Sequence, residues 1–301
     1  MGMLAITLQD LRFRKRQFLI AIAGAALLFA MTLLMAGLAA GFSFEIDQTV
    51  SSLGGQAWMV AAGSSARVAA LAPIPGTAEP AVAATPGVKV AQPVAIVPQA
   101  ATVGSATRSL VLVGVIPGGF DGPGLVSGRA VRSTGQAVVD RRLGLTIGQH
   151  FSVAGRRFTV VGTVADKTLI GGVPDVFVPL GDAQAVAFGG RPLVSAFVLG
   201  GVPRSAPPGL QVLSPAQVES QSLAAMASAR SSIENSRIFA WVVAAVIVAA
   251  MVYVSALERT RDFAVLKALG SSSVSLFFGL AVQAVVVSLV AAVVAAAIAH
   301  F

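Results

Sequence analysis

The side chains that most often carry catalysis or hold metal ions are scarce in this sequence. It contains two histidines, His150 and His300, and no cysteine. Disulfides, thiolate metal sites and a cysteine nucleophile are therefore excluded, and no zinc site is expected without a pair of histidines. His150 follows a Gly-Gln turn at a predicted strand start, where a solvated side chain is expected. The residue types favour no metal centre.

Serine, carboxylate and nucleotide chemistry lack the patterns they need. No Gly-x-Ser-x-Gly elbow is present to expose a nucleophilic serine. A GxxxxGK[S/T] phosphate-binding loop is also absent. The carboxylates of the middle of the chain occur singly, and we interpret them as loop and turn residues: Asp121, Asp140, Asp166, Asp175 and Asp182. The chain is therefore not expected to be an enzyme or to hold a cofactor, and any ATP is expected on a partner.

Composition and charge placement favour a membrane over nucleic acid. The residues are 55% hydrophobic and 11% charged, whereas soluble domains carry about 25% charged residues. Of 21 Lys and Arg residues, 14 are spread over residues 45–237 without a cluster, unlike a phosphate-binding stripe. The other seven lie beside long apolar stretches, and they are Arg12, Arg14, Lys15, Arg16, Arg259, Arg261 and Lys267. Such clustering is a topology signal.

Three stretches are long and apolar enough to cross a bilayer, for which about 20 helical residues suffice. Residues 17–44 and 276–301 carry no charge, and residues 238–257 have Trp241 and Tyr253 near their two ends. A cleaved signal peptide is the alternative for the first stretch, whose apolar part exceeds the usual core of about 7–15 residues. Because basic residues mark the cytoplasmic side, we expect residues 1–16 and 258–275 in the cytoplasm and residues 45–237 outside.

The sequence thus predicts a membrane protein with three α-helical transmembrane segments and a large mixed α/β extracytoplasmic domain inserted between the first and second. The predicted boundaries are a cytoplasmic amphipathic N-terminal helix at 1–16, transmembrane helices at 17–44, 238–257 and 276–301, the extracytoplasmic domain at 45–213, a stalk helix at 214–237 and a cytoplasmic loop at 258–275. A Ser-Pro-Ala-Gln start at residues 214–217 predicts a capped helix that could continue through the second span.

Within the extracytoplasmic domain, stretches rich in Val and Phe and bounded by Gly or Pro predict strands. They lie at residues 57–61, 88–97, 109–115, 150–153, 156–164, 175–179 and 194–199. Residues 79–84 and 182–188 predict short helices. Ala154 and Gly155 predict a hairpin turn.

Packing signals occur in two of the predicted spans. Gly37 and Gly41 form a small-xxx-small pair, which could admit another helix or could reflect composition alone. Gln283 and Ser288 place polar side chains in the third span, where they are expected to find partners on other helices.

The loop at residues 258–275 predicts a short amphipathic helix. Val265, Leu266 and Leu269 share one helical face, Glu258 and Arg261 have ion-pair spacing, and Gly270 suits a C-cap. Periodicity alone leaves open whether this helix lies on lipid or docks on a protein.

The same segment, ERTRDFAVLKALGSS at residues 258–272, resembles the cytoplasmic-loop signature of the MacB/FtsX-like family of ABC transporter permeases. The basic start LAITLQDLRFRKRQ fits that family, and GQAVVDRRLGLTIGQHFSVAGRRFTVVGTV is similar to its extracytoplasmic core. Members have four spans, so a fourth transmembrane helix is expected to be lacking from this sequence.

The resemblance implies a permease subunit in the bacterial inner membrane that pairs with a separate cytoplasmic ATPase and works as a permease dimer surrounded by lipid. It implies that the loop helix docks on the ATPase and that ATP-driven closure reaches the extracytoplasmic domain by mechanotransmission, for export or extrusion. The implied coupling residues are Glu258, Arg259, Arg261, Asp262, Phe263, Leu266, Lys267 and Gly270. Two alternatives stay open: an FtsX-like transducer that regulates a cell-wall hydrolase, and a membrane-anchored binding module that acts without ATP.

Overall fold

The computed structural model describes residues 15–65, 67–119, 124–169, 172–224, 227–258, 260–268, 270 and 272–300. The chain divides into two units. The first, here called the membrane unit, comprises Met1–Ala40 with Ser228–Phe301, and the second, the outer unit, comprises Gly41–Ala227.

The described residues form seven α-helices and thirteen β-strands. The helices are α1 (Lys15–Leu53), α2 (Glu79–Ala83), α3 (Leu180–Ala187), α4 (Pro215–Ala224), α5 (Ala227–Glu258), α6 (Thr260–Ala268) and α7 (Ser273–His300). The strands are β1 (Ala57–Ala61), β2 (Ile74–Pro75), β3 (Val90–Val103), β4 (Ala106–Val115), β5 (Ser127–Gly128), β6 (Gln136–Asp140), β7 (His150–Val153), β8 (Arg156–Val164), β9 (Thr168–Leu169), β10 (Val173–Pro179), β11 (Leu193–Val194), β12 (Ala196–Gly200) and β13 (Leu210–Leu213).

Three helices, α1, α5 and α7, are long and apolar enough to cross a membrane. The spanning stretches are Ile22–Gln48, Ser231–Glu258 and Phe277–Ala299, with mean hydropathy of 2.2, 2.5 and 2.6. None contains proline, so every backbone N–H group can remain in the helical ladder, as the bilayer interior requires. The prediction of three spans with a mixed α/β domain between the first and second is confirmed.

Small residues bring the helices of the membrane unit together. Ala25 and Ala26 of α1 and Ala291 of α7 are almost fully buried in one cluster. The rings of Phe29 and Trp241 meet with centroids 5.1 Å apart. Alanine at these positions lets helix backbones approach closely, which is the usual source of helix association in lipid.

The outer unit is built on one large sheet. Its strand order is β13-β1-β12-β3-β4-β10-β6-β8-β5, with β7 pairing β3 and β8, and β9 pairing β10. The β4–β10 and β6–β8 pairs are parallel, whereas the β3–β4 and β7–β8 pairs are antiparallel. Strands β2 and β11 form a separate two-stranded sheet.

Both faces of the large sheet are covered. One apolar cluster includes Ile46 and Val50 from α1 and Val218 from α4. A second cluster includes Ala183 from α3. A side chain at Gly114 on β4 would collide with the Ala183 Cβ atom and lie 3.3 Å from the Leu180 Cα atom. Glycine at this position therefore permits the close approach of α3 to the sheet.

Most of the predicted elements are confirmed, and two strands were missed. Strands β1, β7 and β8 have the predicted boundaries, while β3 is longer and β12 is preceded by a separate short strand. Ala154 and Gly155, with φ of 48° and 78°, form the predicted two-residue turn between β7 and β8. Strands β6 and β13 were not predicted, because β6 has a short apolar run that strands β8 and β10 bury on its two edges.

The predicted capping box before α4 is confirmed. The Ser214 backbone N–H donates to Gln217 Oε1 at 2.8 Å, and the Gln217 backbone N–H donates to Ser214 Oγ at 3.2 Å. These reciprocal bonds satisfy N–H groups that a helix start leaves without a partner. Residues 225–226, between α4 and α5, lie outside the described residues, so a continuous helix from Pro215 through the second span stays a prediction.

Candidate functional site

Helix α6 is a short segment between two spanning helices, with hydrogen bonds at both ends. At its start, Thr260 Oγ1 donates to the Leu257 carbonyl oxygen at 2.7 Å. After its end, the Gly270 N–H donates to the Lys267 carbonyl oxygen at 3.1 Å, and Gly270 has φ of 97°. This left-handed conformation suits glycine as a helix terminator. The chain therefore turns sharply at residues 258–270.

The residues implied as coupling residues all lie on or beside α6. Arg261, Val265 and Lys267 are exposed and Phe263 is half-buried. Val265 keeps 59% of its surface. Glu258 ends α5 and is exposed. Arg259 lies outside the described residues, as do the side chains of Asp262 and Leu266. The described part of this segment thus presents cationic and apolar side chains together.

The polar residues predicted to pack in the third span have different surroundings. Gln283 Nε2 donates to Ser255 Oγ at 3.2 Å, and both residues are 5% exposed. This bond joins α7 to α5. Ser255 was missed by the sequence analysis, since a serine in an Ala- and Val-rich helix gives no signal of its own. Ser288 lines an apolar groove of about 680 Å³ beside Phe29, Trp241 and Phe277.

The two predicted small-residue positions on α1 are open. A side chain at Gly37 or Gly41 would meet nothing within 4 Å. Among the described residues no helix of this chain therefore uses that pair. Of the basic topology residues, Arg12 and Arg14 lie outside the described residues, and Lys15 and Arg16 begin α1 with side chains that the structure leaves undescribed.

Three carboxylates are buried, which corrects their interpretation as loop and turn residues: Asp140, Asp175 and Asp182 are at most 2% exposed. Asp182 Oδ2 accepts the Gly135 N–H at 2.8 Å, and its Oδ1 accepts from Arg156 Nη2 at 3.3 Å. Gly135 is 47 residues away in sequence, so no local pattern could reveal the pairing. Asp121 lies outside the described residues.

Asp140 joins two loops at one edge of the large sheet. Its Oδ1 accepts the Arg142 N–H at 2.9 Å and its Oδ2 accepts the Lys167 N–H at 2.8 Å. Strands β6 and β8 are parallel, with Asp140 beside Val164 as their last pair. The loops that follow the two strands therefore start side by side, and one buried carboxylate fixes both. Hydrogen bonds to a carboxylate of this kind compensate its burial.

The same two loops contact the outer end of α1. Arg142 Nη1 lies 3.8 Å from Glu45 Oε1, and Arg142 Nη2 lies 3.7 Å from Asp166 Oδ1. Lys167 Nζ donates to Gln48 Oε1 at 2.9 Å. We call these five residues the α1 bracket. Sequence reasoning missed the bracket because its partners are far apart in the chain, 119 residues for Lys167 and Gln48.

The histidine and metal expectations have little structural content. His150 is exposed, and its Nδ1 lies 3.1 Å from Thr159 Oγ1. In the part of the chain that the structure describes, no three His, Asp or Glu residues group as metal ligands.

Two protein families together match almost the whole chain. The MacB-like periplasmic core domain matches residues 18–235 and the FtsX-like permease C-terminal domain matches residues 237–301. An uncharacterized ABC transporter permease of Mycobacterium bovis is 38% identical over 292 residues, covering 97% of this chain and 84% of the relative. Another, from Mycobacterium tuberculosis strain H37Rv, is 35% identical over 298 residues, covering 99% and 85%.

Two solved structures are more distantly similar. The periplasmic region of MacB from Actinobacillus actinomycetemcomitans gives a TM-score of 0.42 at 12% identity, covering 56% of this chain and 92% of that one. The extracellular domain of the noncanonic ABC-type transporter YknZ from Gram-positive bacteria gives 0.39 at 16% identity, covering 52% and 98%.

The two domain matches follow the order of the structural units, with the periplasmic core first and the permease C-terminal domain over α5 to α7. The relatives match from one end of this chain to nearly the other. The chain belongs to the MacB/FtsX-like family of ABC transporter permeases and is a multi-pass protein of the bacterial inner membrane.

Proposed function

We propose that this permease couples ATP hydrolysis in a separate cytoplasmic ATPase to movement of its outer unit, for export or extrusion. The observation that supports the proposal most directly is α6, a helix of 9 residues held between two spanning helices with exposed cationic and apolar side chains. An amphipathic helix that enters a groove of a partner uses such a face. The docking residues are those implied by the resemblance, Glu258 to Gly270.

The need for a partner follows from the sequence. The chain has no GxxxxGK[S/T] loop to hold the phosphates of ATP. Binding energy from ATP must therefore enter through a protein contact. A contact on α6 would act on α5 and α7 together, because α6 joins them and the Gln283–Ser255 hydrogen bond links their buried faces.

Transmission to the outer unit requires a stiff connection. Helix α1 runs without interruption for 39 residues, about 58 Å at 1.5 Å per residue. Its outer end contributes Ile46, Val50 and Leu53 to the core of the outer unit. Displacement of α1 along its length would therefore move buried residues of the sheet rather than a flexible linker.

We further propose that two permeases act together. Gly37 and Gly41 leave room for a close approach by another helix. The apolar groove beside Trp241 offers a second lipid-exposed surface where a helix could pack.

The docking proposal is tested by a charge on the apolar face of α6. Leu266→Asp places a carboxylate on the face that Val265 and Leu269 share, and we expect loss of ATPase binding and of ATP-dependent activity by about tenfold or more, since a buried unpaired charge costs several kcal/mol. The measurement is copurification with the ATPase and its stimulated ATP hydrolysis in nanodiscs.

Ala264→Asp is the matched control. Position 264 lies about 200° from position 266 around the helix, and Ala264 is exposed. The same charge there should leave binding within about twofold of the wild-type value. Equal behaviour of the two variants would contradict docking through this face.

A further inference from the structure

Two helices of the outer unit contact different ends of the large sheet. Helix α4 follows β13, and its Ser222 Oγ accepts the Val68 N–H at 3.1 Å. Helix α1 leads into β1 through residues 54–56, where the Gln56 N–H donates to the Leu199 carbonyl oxygen at 2.7 Å. Strands β13 and β1 are neighbours at one end of the strand order, so both helices are tied to that end.

Helix α1 also holds the other end through the α1 bracket. Strands β6 and β8 lie near the opposite end of the strand order. Their following loops carry Arg142 and Lys167, which contact Glu45 and Gln48 of α1. A movement of α1 relative to α4 would therefore reach the β6–β8 end through the bracket.

The geometry points to Arg142 and Lys167 as positioning residues that make the β6–β8 end of the sheet follow α1, while the β1–β13 end stays with α4. This inference rests on the proposed function, which supplies the movement of α1. Asp140 serves the same role indirectly, because its two oxygens fix the backbone N–H groups of both residues. The outer unit then changes shape across its sheet instead of moving as one body.

A purely structural role for the bracket is poorly supported by its contacts. Arg142 keeps 51% of its side chain exposed, and its two carboxylate partners lie at 3.7 and 3.8 Å. Solvent-exposed ion pairs of this kind contribute little to stability. The contacts are nevertheless directional, since one guanidinium bridges Glu45 on α1 and Asp166 on the loop after β8. Removing them should change the transmitted movement with little change in melting temperature.

The absence of cysteine allows the movement to be measured directly. Thr134 lies in the loop before β6 and Ser205 in the loop before β13, and both are exposed. Cysteines introduced at these two positions carry spin labels, and electron paramagnetic resonance measures the distance between them. The full chain is reconstituted with its ATPase in nanodiscs, without nucleotide and with ATP.

We expect ATP to change the distance between the labels in the otherwise unsubstituted chain. In Arg142→Gln/Lys167→Gln the change should shrink by about threefold or more, the scale at which residues between two sites modulate coupling. Arg141→Gln is the control, because it removes a charge from the same turn and, among the described residues, no α1 contact of Arg141 is seen. Adding Gln48→Glu to Arg142→Gln should restore the change by giving Lys167 an ion-pair partner.

Two results would overturn the inference, and they are distinguishable. A full distance change in Arg142→Gln/Lys167→Gln would exclude the bracket and leave the proposed function standing. No ATP-dependent change in the unsubstituted chain, with the ATPase bound, would contradict the proposed function as well. A melting temperature that falls in Arg142→Gln/Lys167→Gln but not in Arg141→Gln, together with a lost distance change, would assign the bracket to folding and overturn the positioning role.

Discussion

The membrane unit and the outer unit use opposite solutions to the same problem of covering apolar side chains. In the membrane unit most apolar side chains stay exposed, as Phe278 and Val293 do at 66% and 71%, because lipid covers them. In the outer unit the apolar side chains cover one another, and large residues such as Trp58 and Phe158 are at most 1% exposed. Packing energy is therefore concentrated in the outer unit.

The two units also treat polar groups differently. The membrane unit joins two helices by one neutral hydrogen bond, Gln283 to Ser255. The outer unit buries whole carboxylates, and Asp140 accepts two backbone N–H groups that come from different loops. This difference indicates that the outer unit maintains a defined shape, whereas the spanning helices retain freedom to shift against lipid.

The largest predicted effect separates the two ways of covering a phenylalanine. Phe158→Ala should destabilise the outer unit by about 3–5 kcal/mol, because it leaves a cavity beside Phe151. Phe278→Ala on α7 should change stability by less than about 1 kcal/mol. Trp58 in the outer unit and Trp241 in the membrane unit are the two tryptophans, so fluorescence during guanidinium unfolding reports on each unit. Similar losses for the two variants would end the distinction.

An intermediate effect is expected for the buried carboxylate. Asp140→Ala leaves the N–H groups of Arg142 and Lys167 without their acceptor, at a cost of about 2 kcal/mol or more. Asp166→Asn changes a side chain that is 69% exposed, and its effect should be below about 0.5 kcal/mol. Guanidinium unfolding followed at Trp58 compares them. If Asp140→Ala unfolded at the wild-type midpoint, the carboxylate would not fix the loops.

The smallest effect is expected in the membrane unit. Gln283→Leu removes the hydrogen bond to Ser255, and such bonds contribute about 0.6 kcal/mol in membrane helices. A double-mutant cycle with Ser255→Ala, measured by detergent-induced unfolding, should give a coupling energy of that size. A value of several kcal/mol would show that polar contacts fix the spanning helices as firmly as those of the outer unit.

The two units differ in how far sequence predicts them. The three spans follow from apolar length alone, since a bilayer imposes a local requirement on each stretch. Strand β6 was missed because its burial depends on β8 and β10, which lie elsewhere in the sequence. For the same reason the sequence revealed neither the Asp140 contacts nor the α1 bracket.

The candidate coupling site was predicted as a position and not as a set of contacts. The sequence predicted a short helix with a glycine terminator at residues 258–270, and α6 with Gly270 matches that expectation. The roles of its residues stay predictions, since the surface they would bind belongs to another protein. Ser255, in contrast, became visible only once α5 and α7 were placed side by side.

The most direct test of the central claim is the composition of the native complex. The permease carrying an affinity tag is purified from its own membranes in mild detergent, beside the Leu266→Asp variant, and copurifying proteins are quantified by mass spectrometry. The account predicts one ATP-binding subunit in near-stoichiometric yield with the unsubstituted chain and its loss from Leu266→Asp. An intact, folded permease that reproducibly copurifies without any ATP-binding subunit would contradict it.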